Sequence, residues 1–120
     1  MAIAAAQAQK FYEQVTAERR VFTFLNDDSF LVFKVGSLEV VPFWSSATRL
    51  DSIMKTHPKY REYTTDESTL EHFLATTLPL LHQEKINIGV NWSGTRLTGY
   101  DISASDLQKN LNYWLSQQRG

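Results

Sequence analysis

Apolar positions along the chain follow two periodicities, and the switching between them predicts an α+β fold. Ala8, Phe11, Tyr12 and Val15 recur at three- and four-residue spacing, which puts them on one face of a helix over about residues 4–18. The alanines ahead of them raise helix propensity but bury little, so residues 1–6 are expected to fray. From Arg20 the period shortens. Val21-Phe22-Thr23-Phe24-Leu25 is β-branched and aromatic on both faces, as a central strand would be. Asn26-Asp27-Asp28-Ser29 reads as a turn, Phe30-Leu31-Val32-Phe33 as a second strand, Gly36-Ser37 as another turn, and Glu39 to Trp44 as a third strand. Such short connections favour antiparallel neighbours, so residues 20–44 read as a β-meander. Pro42 cannot donate to a ladder and belongs at a strand end or facing an edge.

Ser45 or Ser46 then caps a helix whose Ala47, Leu50, Ile53 and Met54 form an apolar stripe. His57-Pro58 ends that helix, because the residue before proline is pushed out of helical geometry. A short strand is expected over residues 61–64. Ser68-Thr69-Leu70-Glu71 fits an S-x-x-E capping box ahead of Leu70, Phe73, Leu74, Leu78 and Leu81, with Pro79 expected to kink the helix or split off its last turn. Ile86, Ile88 and Val90 alternate with Asn87, Gly89 and Asn91, which predicts a half-buried strand. Residues 96–100 are its hairpin partner, and Ser103 and Asp106 frame a last helix carrying Leu107, Leu111, Trp114 and Leu115. The expectation is one α+β domain over residues 1–120: a mainly antiparallel sheet, N-terminal meander plus later hairpin, with about four helices packed on it.

Charge and composition change this picture by exclusion. The 12 basic and 13 acidic side chains give a net charge of -1. Along the chain the basic ones cluster only at Arg19-Arg20, so a phosphate-tracking surface is not expected, and neither nucleic acid nor a membrane is an expected partner. There is no cysteine, hence no disulfide, thiol nucleophile or cysteine-ligated metal, which fits a cytoplasmic setting. The first residues lack a signal-peptide pattern, and no apolar run approaches the roughly 20 residues of a membrane span.

Candidate chemistry is sparse. His72 and His82 lie about 15 Å apart along one predicted helix and cannot share an ion; His57 precedes a proline at a helix end. Asp27-Asp28 fits a turn, and Asp66-Glu67 fits a helix entrance. Nucleophile elbows and phosphate loops are absent. No catalytic residue, metal or cofactor is expected. Two segments stand apart. In the first, Trp44 leads into Ser45, Ser46 and Arg49, where free amides and a guanidinium could hold a small anion; the plainer reading has Trp44 in the core, the serines capping and Arg49 paired with an acid. In the second, Asn91, Trp92, Arg96 and Tyr100 surround two glycines with residue types that anchor binding surfaces; a tight hairpin with a buried Trp would read the same.

These segments also carry a family resemblance. Glu39-Val40-Val41-Pro42-Phe43-Trp44 resembles the E-V-L-P-x-W block of the small bacterial proteins grouped as domain of unknown function 2750. Ser68 to Leu74, with Leu78-Pro79-x-Leu81, is similar to that family's I-P-L-x-x-F-L and L-L-P-x-L, and Ile86 to Val90 and Asp106-Leu107 follow in order. The likeness spans about residues 10–111. It departs after Trp44, where the family often has a histidine-containing stretch and this chain has Ser45-Ser46. The family has no established activity, so the resemblance implies fold and bacterial origin.

The function expected from all this is a non-catalytic protein-binding or regulatory domain, adaptor-like or immunity-like. The alternative is a small-ligand, anion-binding or enzymatic domain using the helix N-terminus at Ser45 with Arg49. A homodimer through an uncovered face of the sheet is a third possibility.

Overall fold

The computed structural model describes residues 2–118 apart from Thr95, with side chains from Ala6 onward. Met1, within the stretch expected to fray, lies outside the described residues. The elements are α1 (Ala2–Glu18), β1 (Arg20–Asn26), β2 (Ser29–Phe30), β3 (Phe33–Val35), β4 (Leu38–Phe43), α2 (Ala47–Thr56), a 3-10 turn (Pro58–Glu62), β5 (Thr64–Thr69), a helical run α3 over residues 70–83, β6 (Asn87–Ser93), β7 (Thr98–Ile102) and α4 (Ala104–Gln118). The α+β class matches the sequence pattern.

The strands form two sheets, ordered β2-β1-β5 and β3-β4-β6-β7. The expected meander is therefore divided. β1–β2 and β3–β4 are separate hairpins in different sheets, and the chain crosses between them at Leu31-Val32. One antiparallel bridge, Phe22 to Trp44, joins the sheets through two backbone hydrogen bonds of 2.8 and 2.7 Å. Pairing is antiparallel except between β4 and β6, which run parallel from Val40 opposite Asn87 to Phe43 opposite Val90. Pro42 lies beyond the end of β3, so its missing amide breaks no ladder bond; its carbonyl accepts from the Thr23 hydroxyl at 2.8 Å.

Burial separates two cores. Phe11, Tyr12 and Val15 of α1, Leu70 and Phe73 of α3, and Leu107 and Leu111 of α4 close over Val41, Phe43, Ile88 and Val90 on one face of the four-stranded sheet. Leu50 and Ile53 of α2 and Tyr60 of the 3-10 turn pack with Phe24, Val40, Trp44, Trp92 and Leu97 on the other. Helices thus cover both faces rather than one. β6, flanked by β4 and β7, is buried continuously from Ile88 to Trp92, so its alternation is not the half-buried pattern expected.

Two local corrections share a cause. The strand expected over 61–64 is a 3-10 turn, and the strand instead occupies Thr64–Thr69, an edge strand of polar residues that pairs with β1 along its whole length. The ladder runs one residue past Ser68, to Thr69 opposite Arg20, so the capping position ahead of Leu70 does not fall on Ser68. Thr69 caps instead, accepting from the His72 amide at 3.1 Å, while Glu71 pairs with Arg19. Pro79 acts upstream of itself. Residues Phe73–Thr77 form a π-helical turn between the α-helical Leu70–His72 and Leu78–Gln83, and the Leu78 amide bonds to the Phe73 carbonyl. In that register the Leu74 carbonyl would need the amide that Pro79 lacks; Gln108 of α4 donates to it at 2.9 Å. Among the described residues, no helix is long and apolar enough to cross a membrane.

Candidate functional site

Parallel pairing of β4 with β6 sends both strands out of the sheet at the same end, and there the two sequence candidates meet. The pairing stops at Phe43 and Val90. Asn91 then adopts a left-handed backbone, φ 50°, and the β6–β7 register slips by one residue between Val90 and Ser93. Asparagine is among the few side chains that enter this region readily. A strand alternates faces with period two, so without the bulge Trp92 would share the face of Ile88 and Val90. The extra residue turns it to the opposite face, into the core of α2.

Trp92 lies back along its own strand over Gly89. A Cβ there would come within 2.7 Å of the indole Cζ2, so only glycine fits. Gly99 on β7 also approaches the ring, where a Cβ would be 3.0 Å from Cδ1. The indole Nε1 donates to Asp101 Oδ1 at 2.9 Å. Burial pushes the Asp101 carboxyl above its ordinary value, and the hydrogen bond from Trp92 opposes that rise.

Asn91 itself, 0% exposed, closes the junction. Its Oδ1 accepts from the Ser45 amide at 3.0 Å, and its Nδ2 donates to Ser45 Oγ at 3.1 Å and to the Gln7 carbonyl of α1 at 3.4 Å. Trp44 Nε1 donates to the Trp92 carbonyl at 2.8 Å. Ser45 Oγ also bonds Gln14 of α1. Residues 44–45 and 91–92 are thereby one buried knot tied to α1, and no buried side-chain polar atom among the described residues lacks a partner.

The remaining candidates lie outside the knot. Ser46, not Ser45, caps α2, accepting from the Arg49 amide at 3.4 Å. Arg49 directs Nε at Gln14 Oε1, 3.4 Å away, rather than at an acid, and partial burial lowers its pKa. An open concavity of about 300 Å³ beside Ser45 and Ser46 is lined by Gln14, Glu18 and Arg20 but not by Arg49. Arg96 is exposed, and Tyr100 is 36% exposed. Trp92, Arg96 and Tyr100 therefore do not form one exposed surface, because Trp92 is buried.

One cluster escapes a reading along the chain. Phe33, His57, Lys59, Tyr60, Arg96 and Leu97 line a second open concavity of about 310 Å³. Three of these side chains, His57, Lys59 and Arg96, are basic, and none is a carboxylate. The signal lay in Lys55-Thr-His-Pro-Lys-Tyr-Arg61, a seven-residue stretch without a carboxylate. Among the described residues, no group of three or more His, Asp and Glu could hold a metal ion.

A family model described as Protein of unknown function (DUF2750) matches residues 8–111. No curated protein and no solved structure matches the chain.

Asn91→Ala should lower unfolding free energy by about 2–5 kcal/mol, since it strands the Ser45 amide and forces a Cβ-bearing residue without a polar side chain into the left-handed region. Asn91→Gly, which relieves only the backbone part, should cost less; equal losses in denaturant titration would show that the left-handed backbone contributes nothing beyond the lost hydrogen bonds. For Asp101 the raised folded pKa fixes the sign: its contribution is fully present below the ordinary value of 3.8 and is lost as pH rises through the folded value. Asp101→Asn keeps an acceptor for Trp92, so it should match or exceed the parent in thermal stability at neutral pH. That advantage should shrink in acid, and an advantage growing towards low pH would contradict the assignment.

Proposed function

The chain belongs to the DUF2750 family of proteins of unknown function, and we propose that it is a non-catalytic protein-binding domain whose contact surface is the β3–β4 hairpin. The observation that carries this reading is the pair Val35 and Leu38. They close the hairpin directly opposite each other, at the free edge of the four-stranded sheet, and are 41% and 49% exposed. An unpaired edge strand with apolar side chains invites association unless it is blunted or occupied. Val32, just before β3, adds a third exposed apolar side chain.

Support also comes from what the knot consumes. Trp44, Ser45, Asn91 and Trp92 spend their polar groups on one another and on α1, so chemistry at those positions would first have to break buried hydrogen bonds. The basic concavity offers recognition by charge. A cytoplasmic adaptor or regulator fits these features, and a partner protein fits them better than a nucleic acid or a membrane surface.

Val35→Asp with Leu38→Asp alters exposed positions, so the fold should survive with a stability change on the order of 0.5 kcal/mol. In affinity purification from cells that produce the protein, the wild-type chain should retain a specific partner that this double variant loses. Identical retention by both chains would refute the hairpin as the contact surface.

A further inference from the structure

The hairpin does not end at its apolar pair. Phe33 precedes Val35 by two residues and so presents its side chain to the same face, where it lines the basic concavity with His57, Lys59, Tyr60, Arg96 and Leu97. Three segments distant in sequence build this hollow: β3, the turn after α2, and the β6–β7 connection. Its floor is apolar and fixed, because Tyr60 is 3% and Leu97 7% exposed. Its rim is cationic. Lys59 Nζ stands 5.8 Å from the centre of the Tyr60 ring, within range of attraction to the aromatic face. His57 Nε2 donates to the Gly94 carbonyl at 3.0 Å, which ties the connection bearing Arg96 to the end of α2.

We propose that the concavity and the hairpin together dock an extended acidic segment of a partner protein. Its carboxylates would meet His57, Lys59 and Arg96, its apolar side chains would cover Val35 and Leu38, and its backbone would run beside β3. This rests on the binding-domain reading and adds the chemistry of the partner. Alternate residues of an extended chain lie about 6.6 Å apart on one face, so a short segment whose inward-facing positions run from acidic to apolar reaches both parts of the surface. Two features favour such a segment over a nucleic acid. The cationic rim gives way to the Val35–Leu38 pair rather than to further cations. Another concavity alongside α2 is lined by Asp51, Asp66 and Glu67, which would repel a polyanion continuing in that direction.

The test uses the full chain and a synthetic Asp-Val peptide, an Asp-Ser repeat followed by a Val-Ser repeat so that one face runs from acidic to apolar, with binding followed by amide chemical shifts at low ionic strength. The Lys-Val peptide, with Lys at each Asp position, is the charge-reversed control. Binding should shift amides at Phe33 to Leu38 and around Lys59 and Arg96. Lys59→Glu with Arg96→Glu, both at exposed positions, should weaken it by about tenfold or more without lowering thermal stability, and added salt should weaken the parent. Equal binding of the Lys-Val peptide, shifts confined to another face, no binding at all, or preferential binding of a single-stranded oligonucleotide would each overturn the proposal. The two readings fail separately. If partner retention depends on Val35 and Leu38 but the Asp-Val peptide does not bind, the acidic segment is wrong and the hairpin surface stands. If retention ignores the hairpin, the binding-domain reading falls as well.

Discussion

A single left-handed residue in the central strand organises this fold. β6 is buried on both faces from Ile88 to Trp92, and at Asn91 the backbone turns to φ 50°. That turn moves Trp92 from the core shared by α1, α3 and α4 into the core shared with α2. The asparagine side chain then occupies the site where the strands part, bonding the first amide beyond Trp44 and a carbonyl of α1. Parallel pairing of β4 and β6 makes the meeting possible, because only parallel neighbours bring residues 44–45 and 91–92 to the same end of the sheet.

The consequences run outward to the surface. With Trp44 and Trp92 fixed by their indole hydrogen bonds, α2 and the following turn have a rigid platform on which Tyr60 and Leu97 pack. That platform is the floor of the basic concavity. The connection between β6 and β7, which starts from the bulge, carries Arg96 to its rim. The buried polar groups of Trp44, Ser45, Asn91 and Trp92 are spent on holding this platform, while Arg96 reaches the surface above it.

Much of this was legible in the sequence, and the failures have identifiable physics. The 3.6-residue stripes of α1, α2 and α4 follow the burial seen except at Ala47, which is exposed in the first turn of α2, since amphipathic helices announce the face they bury. The family resemblance read over residues 10–111 agrees with the matched span of 8–111. The strand Thr64–Thr69 was missed because an exposed polar edge strand carries no hydrophobic alternation; β1 defines it through backbone pairing alone. Ser68 fits the local capping motif, but the ladder extends to Thr69, and the cap moves one residue with it. At the candidate site, the two segments were identified, but their union was not, because a parallel register between residues 40–43 and 87–90 leaves no local trace. The basic concavity escaped a count of clustered charge, since Arg96 is supplied by a loop far from Lys59 in the chain.

Native-state amide hydrogen exchange tests the central claim most directly. If the knot between Trp44-Ser45 and Asn91-Trp92 holds the two cores together, the Ser45 amide and the Trp44 indole N–H should exchange only through global unfolding, at the same free energy as the most protected amides of β4 and β6. Exchange of these two protons through a lower-energy local opening, with the β4–β6 ladder still protected, would contradict it and reduce the knot to a surface clasp.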